Sequence, residues 1–106
     1  MKSVGRFSDS WPANSIGKVS VAKAVRFYEA GGPDVLRIED VPVGNPGDGE
    51  VRVRHVAVGM NFADTYFRQG YYPVPLPNGM GVEGSGVIEA VGSNVNGYRI
   101  GDRVTY

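Results

Sequence analysis

Two stretches of the chain hold residues whose types and spacing could do chemistry. In the first, Gly79-Met80-Gly81-Val82-Glu83-Gly84 matches the G-x-G-x-x-G pattern of dinucleotide-binding loops, and Asp102 stands near where a ribose-binding acid would follow. That chemistry needs a strand before the loop and a helix after it, because the helix N-terminus holds the pyrophosphate. Here a proline-rich loop, Tyr72-Pro73-Val74-Pro75-Leu76-Pro77, comes before, and a β-branched stretch from Gly86 to Gly92 comes after. With 16 glycines in the chain a chance match is easy. These glycines are therefore expected to serve turns and close backbone packing rather than phosphate binding. In the second stretch, Asn61 and Asp64 stand at the head of a run to Arg68 that reads as a short helix closed by Gly70. Their spacing predicts a capping box, in which the Asn61 side chain accepts from the backbone and Asp64 returns a bond to the Asn61 amide.

Metal and thiol chemistry find few donors. The chain has no cysteine, which removes disulfides, thiolate nucleophiles and cysteine-based zinc sites, and suits a reducing, cytoplasmic compartment. His55 is the only histidine and lies within a strand pattern, with no partner at ligand spacing. It is expected to be a partly buried strand residue. Arg52, Arg54 and Arg68 are expected on solvated faces. Eleven basic residues balance eleven acidic ones, so no net charge draws nucleic acid or an anionic membrane, and neither is expected as a partner. No run approaches the roughly 18 consecutive apolar residues of a membrane-spanning helix.

The elements that must position these residues read as short strands separated by strong turn signals. At 106 residues, with 42% hydrophobic and 21% charged residues, the chain suits one compact domain. Strands are expected from Lys23 to Tyr28, Val35 to Val41, Glu50 to Val58 and Gly86 to Gly92, with another starting at Asp102. In the Glu50 to Val58 strand, Val51, Val53 and Ala57 are expected on one face. Gly31-Gly32-Pro33 and Asn45-Pro46-Gly47-Asp48-Gly49 supply turns between strands. Residues 1–20, with five serines and no periodicity, read as a leader outside the fold; Trp11-Pro12 lies within it. The folded unit is thus placed at residues 21–106. The expected fold class is mainly β with one or two short helices, in a partly open barrel.

The order of particular strings is more specific than any one of them. Gly31-Gly32-Pro33-Asp34-Val35-Leu36, Asn61-Phe62-Ala63-Asp64-Thr65-Tyr66, Gly70-Tyr71-Tyr72-Pro73, Gly81-Val82-Glu83-Gly84-Ser85-Gly86 and Gly101-Asp102-Arg103-Val104 follow one another in register. Together they resemble the N-terminal GroES-like domain of the medium-chain dehydrogenase/reductase superfamily. Within it, the chain is similar to the quinone oxidoreductase (zeta-crystallin-like) family.

The resemblance implies a parent enzyme that reduces quinones with NADPH, by one or two electrons, and acts as a cytoplasmic homodimer. It implies that a separate Rossmann domain binds most of the cofactor, so that these 106 residues alone are expected to be inactive. It also implies a zinc-free site. The superfamily's zinc enzymes carry Cys where Asn61 stands and His where Val82 stands, and Asn and Val cannot replace those ligands. Glu83, left at the vacated position, is expected to be structural. By the same resemblance Asn61, Tyr66 and Tyr72 are the expected catalytic residues. Asn61, Asp64, Tyr66 and Tyr72 are the expected cofactor-binding residues. A tyrosine there can hydrogen-bond cofactor or quinone while its ring stacks on a flat molecule, although aromatic packing alone would also explain it. Tyr71 is expected to face out or pack. An NADPH-dependent enoyl reductase and a non-enzymatic GroES-like binding module are the alternatives.

Overall fold

The structure is a computed structural model that describes residues 2–3 and 20–106. Most of the expected leader, Trp11-Pro12 included, lies outside the described residues. Lys2–Ser3 forms a short strand, β1, and Ser20–Phe27 forms β2, so β2 takes in the last residue of that leader. Gly31-Gly32 turns the chain into a 3-10 turn over Pro33–Val35, with Pro in its first turn. The proline ring fixes φ at a helical value, so the next strand, β3, starts at Arg37 rather than Val35 and runs to Val43. Strand β4 spans Val51–Val58 and helix α1 spans Phe62–Gln69. Two-residue β5, Asn78–Gly79, lies in a stretch read from sequence as loop, and β6 (Gly84–Val91) and β7 (Arg103–Thr105) follow.

The strands form two sheets, of order β1-β7-β6-β4 and β3-β2-β5. Neither closes into a hydrogen-bonded ring among the described residues, which makes the architecture the partly open one expected. Strand β6 is the hinge of the larger sheet: it pairs antiparallel with β4 on one side and with β7 on the other. Inward-facing side chains of these three strands, Val51, Ile88 and Val104, make the buried core, with Val53, Val91, Val95 and Tyr98 packed against it. In the smaller sheet Phe27 is fully buried at the end of β2, where it pairs with Asn78.

Simple alternation fails along β4. Only Val51 is buried; Arg52 and Val53 are half-buried, and every residue from Arg54 to Val58 is exposed. The register shifts between Arg52 and Val53 and again between His55 and Ala57, leaving Val56 without a partner on β6. Each bulge rotates the side chains that follow it, so Ala57 does not stay on the face of Val51. His55, expected to be partly buried, is exposed. Its Nε2 lies 2.7 Å from the Tyr106 hydroxyl across β6, and burial raises the pKa of that phenol.

The G-x-G-x-x-G stretch does not form a phosphate loop. Gly79 closes β5, Gly84 opens β6, and a strand stands where the pyrophosphate motif requires a helix. Close approach explains the glycine at position 86. Gly86 sits at the centre of the sheet, opposite both His55 and Val104, and a Cβ there would lie 2.1 Å from the Arg54 carbonyl oxygen. That neighbour is backbone and cannot swing aside. Gly86→Ala is therefore expected to prise β4 from β6 and cost about 2 kcal/mol or more, read as a lowered denaturation midpoint. An unchanged midpoint would show that the sheet accommodates a side chain there.

Candidate functional site

Helix α1 follows directly from β4 through Gly59 and Met60, and its ends are set by local chemistry. Asn61 is the N-cap, in extended conformation. Its backbone N–H donates to Asp64 Oδ2 at 2.8 Å, the return bond expected from the Asn61–Asp64 spacing. The Asp64 N–H donates to the Asn61 carbonyl at 3.0 Å. Gly70 ends the helix in the left-handed region, at φ 87°, and its N–H donates to the Phe67 carbonyl. A side chain is strained at that angle, which is why glycine stands at this turn. The Gly31 N–H donates to the Arg68 carbonyl at 2.9 Å and fastens the end of the helix to the turn after β2.

The helix presents its two sides in an unusual sense. Asp64 is 1% exposed and Arg68, one turn later on the same side, is 8% exposed. Arg68 thus contradicts the expectation of a solvated arginine. Arg52 does so in part, since its Nε donates to Glu89 Oε1 at 2.8 Å and its Nη1 to the Gly44 carbonyl. Asp64 Oδ1 and Arg68 Nε are buried without a hydrogen-bond partner. The opposite side is aromatic. Phe62 is 75% exposed, and its ring meets Tyr66, one turn on, edge to face with centroids 5.3 Å apart. Tyr66 in turn meets Tyr72 at 5.3 Å and Tyr71 at 5.9 Å, and Tyr72 also touches Phe67 at 5.4 Å. A hydrogen bond from the Tyr72 N–H to the Tyr66 carbonyl holds the loop after the helix against it.

The structure therefore joins Tyr66 and Tyr72 directly, with Asn61 exposed at the head of the helix that carries Tyr66. Asp64, the fourth expected residue, lies beneath this surface rather than on it. Tyr71 both faces out and packs, being 71% exposed with its ring edge on Tyr66. Glu83 lies beside the same loop: its carbonyl accepts from the Gly59 N–H at 3.2 Å, and its carboxylate folds over Gly59 where a Cβ would stand. Among the described residues no cluster of three His, Cys, Asp or Glu side chains could hold a metal ion. Phe62 escaped the sequence reading. Its signal was the four-residue spacing to Tyr66, easily taken for the apolar side of a helix.

Comparison with known proteins places this geometry. The model of the alcohol dehydrogenase GroES-like domain matches residues 47–106. The class of the fold is thereby a GroES-like domain, as the two sheets suggest. The quinone oxidoreductase of Pseudomonas aeruginosa is 53% identical over 87 residues, covering 81% of this chain and 27% of that protein. The crystal structure of Escherichia coli quinone oxidoreductase complexed with NADPH superposes with a TM-score of 0.78 at 43% identity, covering 80% of this chain and 26% of that one. A 2-haloacrylate reductase from Burkholderia sp is 44% identical over 86 residues, covering 76% of this chain and 26% of that protein. The chain belongs to the quinone oxidoreductase family of the medium-chain dehydrogenase/reductase superfamily and corresponds to its N-terminal GroES-like domain. It spans about a quarter of the length of the relatives it matches.

The buried carboxylate gives this site its own test. Asp64→Ala removes the acceptor of the Asn61 N–H and leaves Arg68 buried, and should cost about 1–3 kcal/mol in denaturant unfolding. Asp40→Ala, which breaks a surface pair with Lys23, should stay within about 0.5 kcal/mol. Equal losses would mean that burial of Asp64 contributes nothing.

Proposed function

We propose that the protein acts, as part of a longer chain, as a zinc-independent quinone reductase that uses NADPH. The observation that carries the reading is the contact of half-buried Tyr66 with exposed Tyr72, on the helix headed by the exposed N-cap Asn61. Two relatives support it by name: a quinone oxidoreductase in Pseudomonas aeruginosa and the NADPH complex from Escherichia coli. The residues fit a nicotinamide and a quinone, since both are flat rings edged with hydrogen-bonding groups and the site offers aromatic faces with phenol and amide groups beside them. NADPH, when bound, supplies the reducing electrons as hydride. Tyr66 and Tyr72 hold the flat acceptor, and their hydroxyls donate to the quinone oxygen on which charge develops. Asn61 orients the ring it faces, held by its N–H bond to Asp64, so Asp64 acts as a positioning residue.

The donor set supports the absence of a catalytic zinc. Asn61 and Val82 stand at the places of two ligands, and the chain has no cysteine. Such a site relies on orientation and hydrogen bonding, which a readily reduced acceptor tolerates. The balanced charge supports a small-molecule partner rather than nucleic acid, and no helix among the described residues is long and apolar enough to cross a membrane. A homodimeric, cytoplasmic parent belongs to the same reading. Reduction of an activated alkene is the second reading, favoured by the 2-haloacrylate reductase among the relatives.

Two measurements test the reading. In the full-length protein, Tyr72→Ala should lower kcat/KM for quinone by about tenfold or more, equivalent to about 1.4 kcal/mol. Tyr71→Ala, at a ring 71% exposed that meets Tyr66 but not Phe67, should change it by less than about threefold; indistinguishable variants would refute the assignment. The isolated 106-residue chain should neither bind NADPH at micromolar concentration, followed by nicotinamide fluorescence, nor turn over quinone. Its glycine-rich stretch, Gly79 to Gly84, runs into strand β6 rather than into a helix whose N-terminus could hold a pyrophosphate. Turnover by the isolated chain would overturn that part of the reading.

A further inference from the structure

We propose that Phe62 is a specificity-determining residue, a third aromatic wall that favours fused-ring acceptors over single-ring ones. The inference rests on the reading of Asn61, Tyr66 and Tyr72 as the acceptor site. Phe62 is the first residue of α1, next in sequence to Asn61, and is 75% exposed. A phenylalanine so exposed gains little from burial, yet its ring is not loose. It stands at 87° to Tyr66 with centroids 5.3 Å apart, while Tyr66 stands at 69° to Tyr72 on its other side. Three rings thus follow one another at steep angles along the outer side of the helix, with the Phe62 end nearest Asn61.

Other apolar residues stand exposed on the loops around the start of the helix. Met60 is 77% exposed and Val82 is 59% exposed. The loops that carry them are joined by the bond from the Gly59 N–H to the Glu83 carbonyl. Tyr71, the other exposed ring on Tyr66, comes after the helix end, whereas Phe62 opens the helix next to Asn61. A single-ring acceptor oriented by Asn61 and the two phenols covers Tyr66 and Tyr72. A second fused ring has further apolar surface to cover, and Phe62 is the aromatic surface that continues the wall on the Asn61 side. A phenylalanine there adds contact without adding a hydrogen bond, so it affects how large an acceptor is held rather than which atom is reduced. The expected gain from one such aromatic contact is about three- to tenfold in preference.

The test uses the full-length protein with NADPH and two acceptors, 1,4-naphthoquinone and 1,4-benzoquinone. The ratio of their kcat/KM values is compared between wild type and Phe62→Ala, so that the intrinsic difference in reactivity cancels. The ratio should fall about threefold or more in Phe62→Ala, with the benzoquinone value within about twofold of wild type. Phe62→Tyr keeps the ring and should keep the ratio, and the exposed position leaves the melting temperature of both variants nearly unchanged. An unchanged ratio in an active Phe62→Ala overturns the role of Phe62 and leaves the acceptor site standing. Failure of the wild type to reduce either quinone overturns the site itself, and the role of Phe62 with it.

Discussion

A carboxylate that should be in water is inside the protein, and the geometry of the candidate site depends on it. Asp64 is 1% exposed and accepts the Asn61 N–H at 2.8 Å. Burying an acid is costly unless something compensates, and here the position supplies compensation. The third residue of a helix lies at the positive end of its dipole, within reach of the N-cap amide. Once Asp64 points inward, helical geometry turns Arg68 inward too, four residues on. Phe62 and Tyr66 share another side and are thereby left outward, which is where a flat ligand could meet them.

The sheet supports the helix from below. Strand β4 delivers the chain to Asn61, and β4 is held by β6, whose Gly86 permits close approach of the Arg54 backbone. The bulge at Val56 lies only a few residues before the helix, and such bulges redirect a strand as it leaves a sheet. At its other end, α1 is tied to Gly31 through the Arg68 carbonyl. The helix is thus fixed at both ends, and the bond from the Tyr72 N–H to the Tyr66 carbonyl holds the second tyrosine against it.

The local features were legible in the sequence because their chemistry is local. Asn61 to Asp64 spells a cap, Gly70 a left-handed end, and the bounded β-branched run before Gly92 a strand; all three are present. The false dinucleotide loop was also separable, since the stretch after it reads as a strand, and is one, where the motif requires a helix. Long-range pairing was less legible. The turn of Ala57 away from the face of Val51 follows from a register shift against β6, and nothing within residues 50–58 announces it. The burial of Arg68 depends on what packs under α1, whereas a lone arginine in a helix usually faces water. Tyr66 and Tyr72 were singled out by family resemblance; their mutual contact required the fold.

The central claim is that acceptor and cofactor meet at the outer side of α1, over Tyr66 and Tyr72 and beside Asn61. A crystal structure of the full-length protein with NADPH bound addresses it most directly. The account predicts nicotinamide ring atoms within about 4.5 Å of Asn61, Tyr66 or Tyr72, with the pyrophosphate held outside residues 20–106. A nicotinamide out of contact with all three, or a pyrophosphate seated on Gly79 to Gly84, would contradict it.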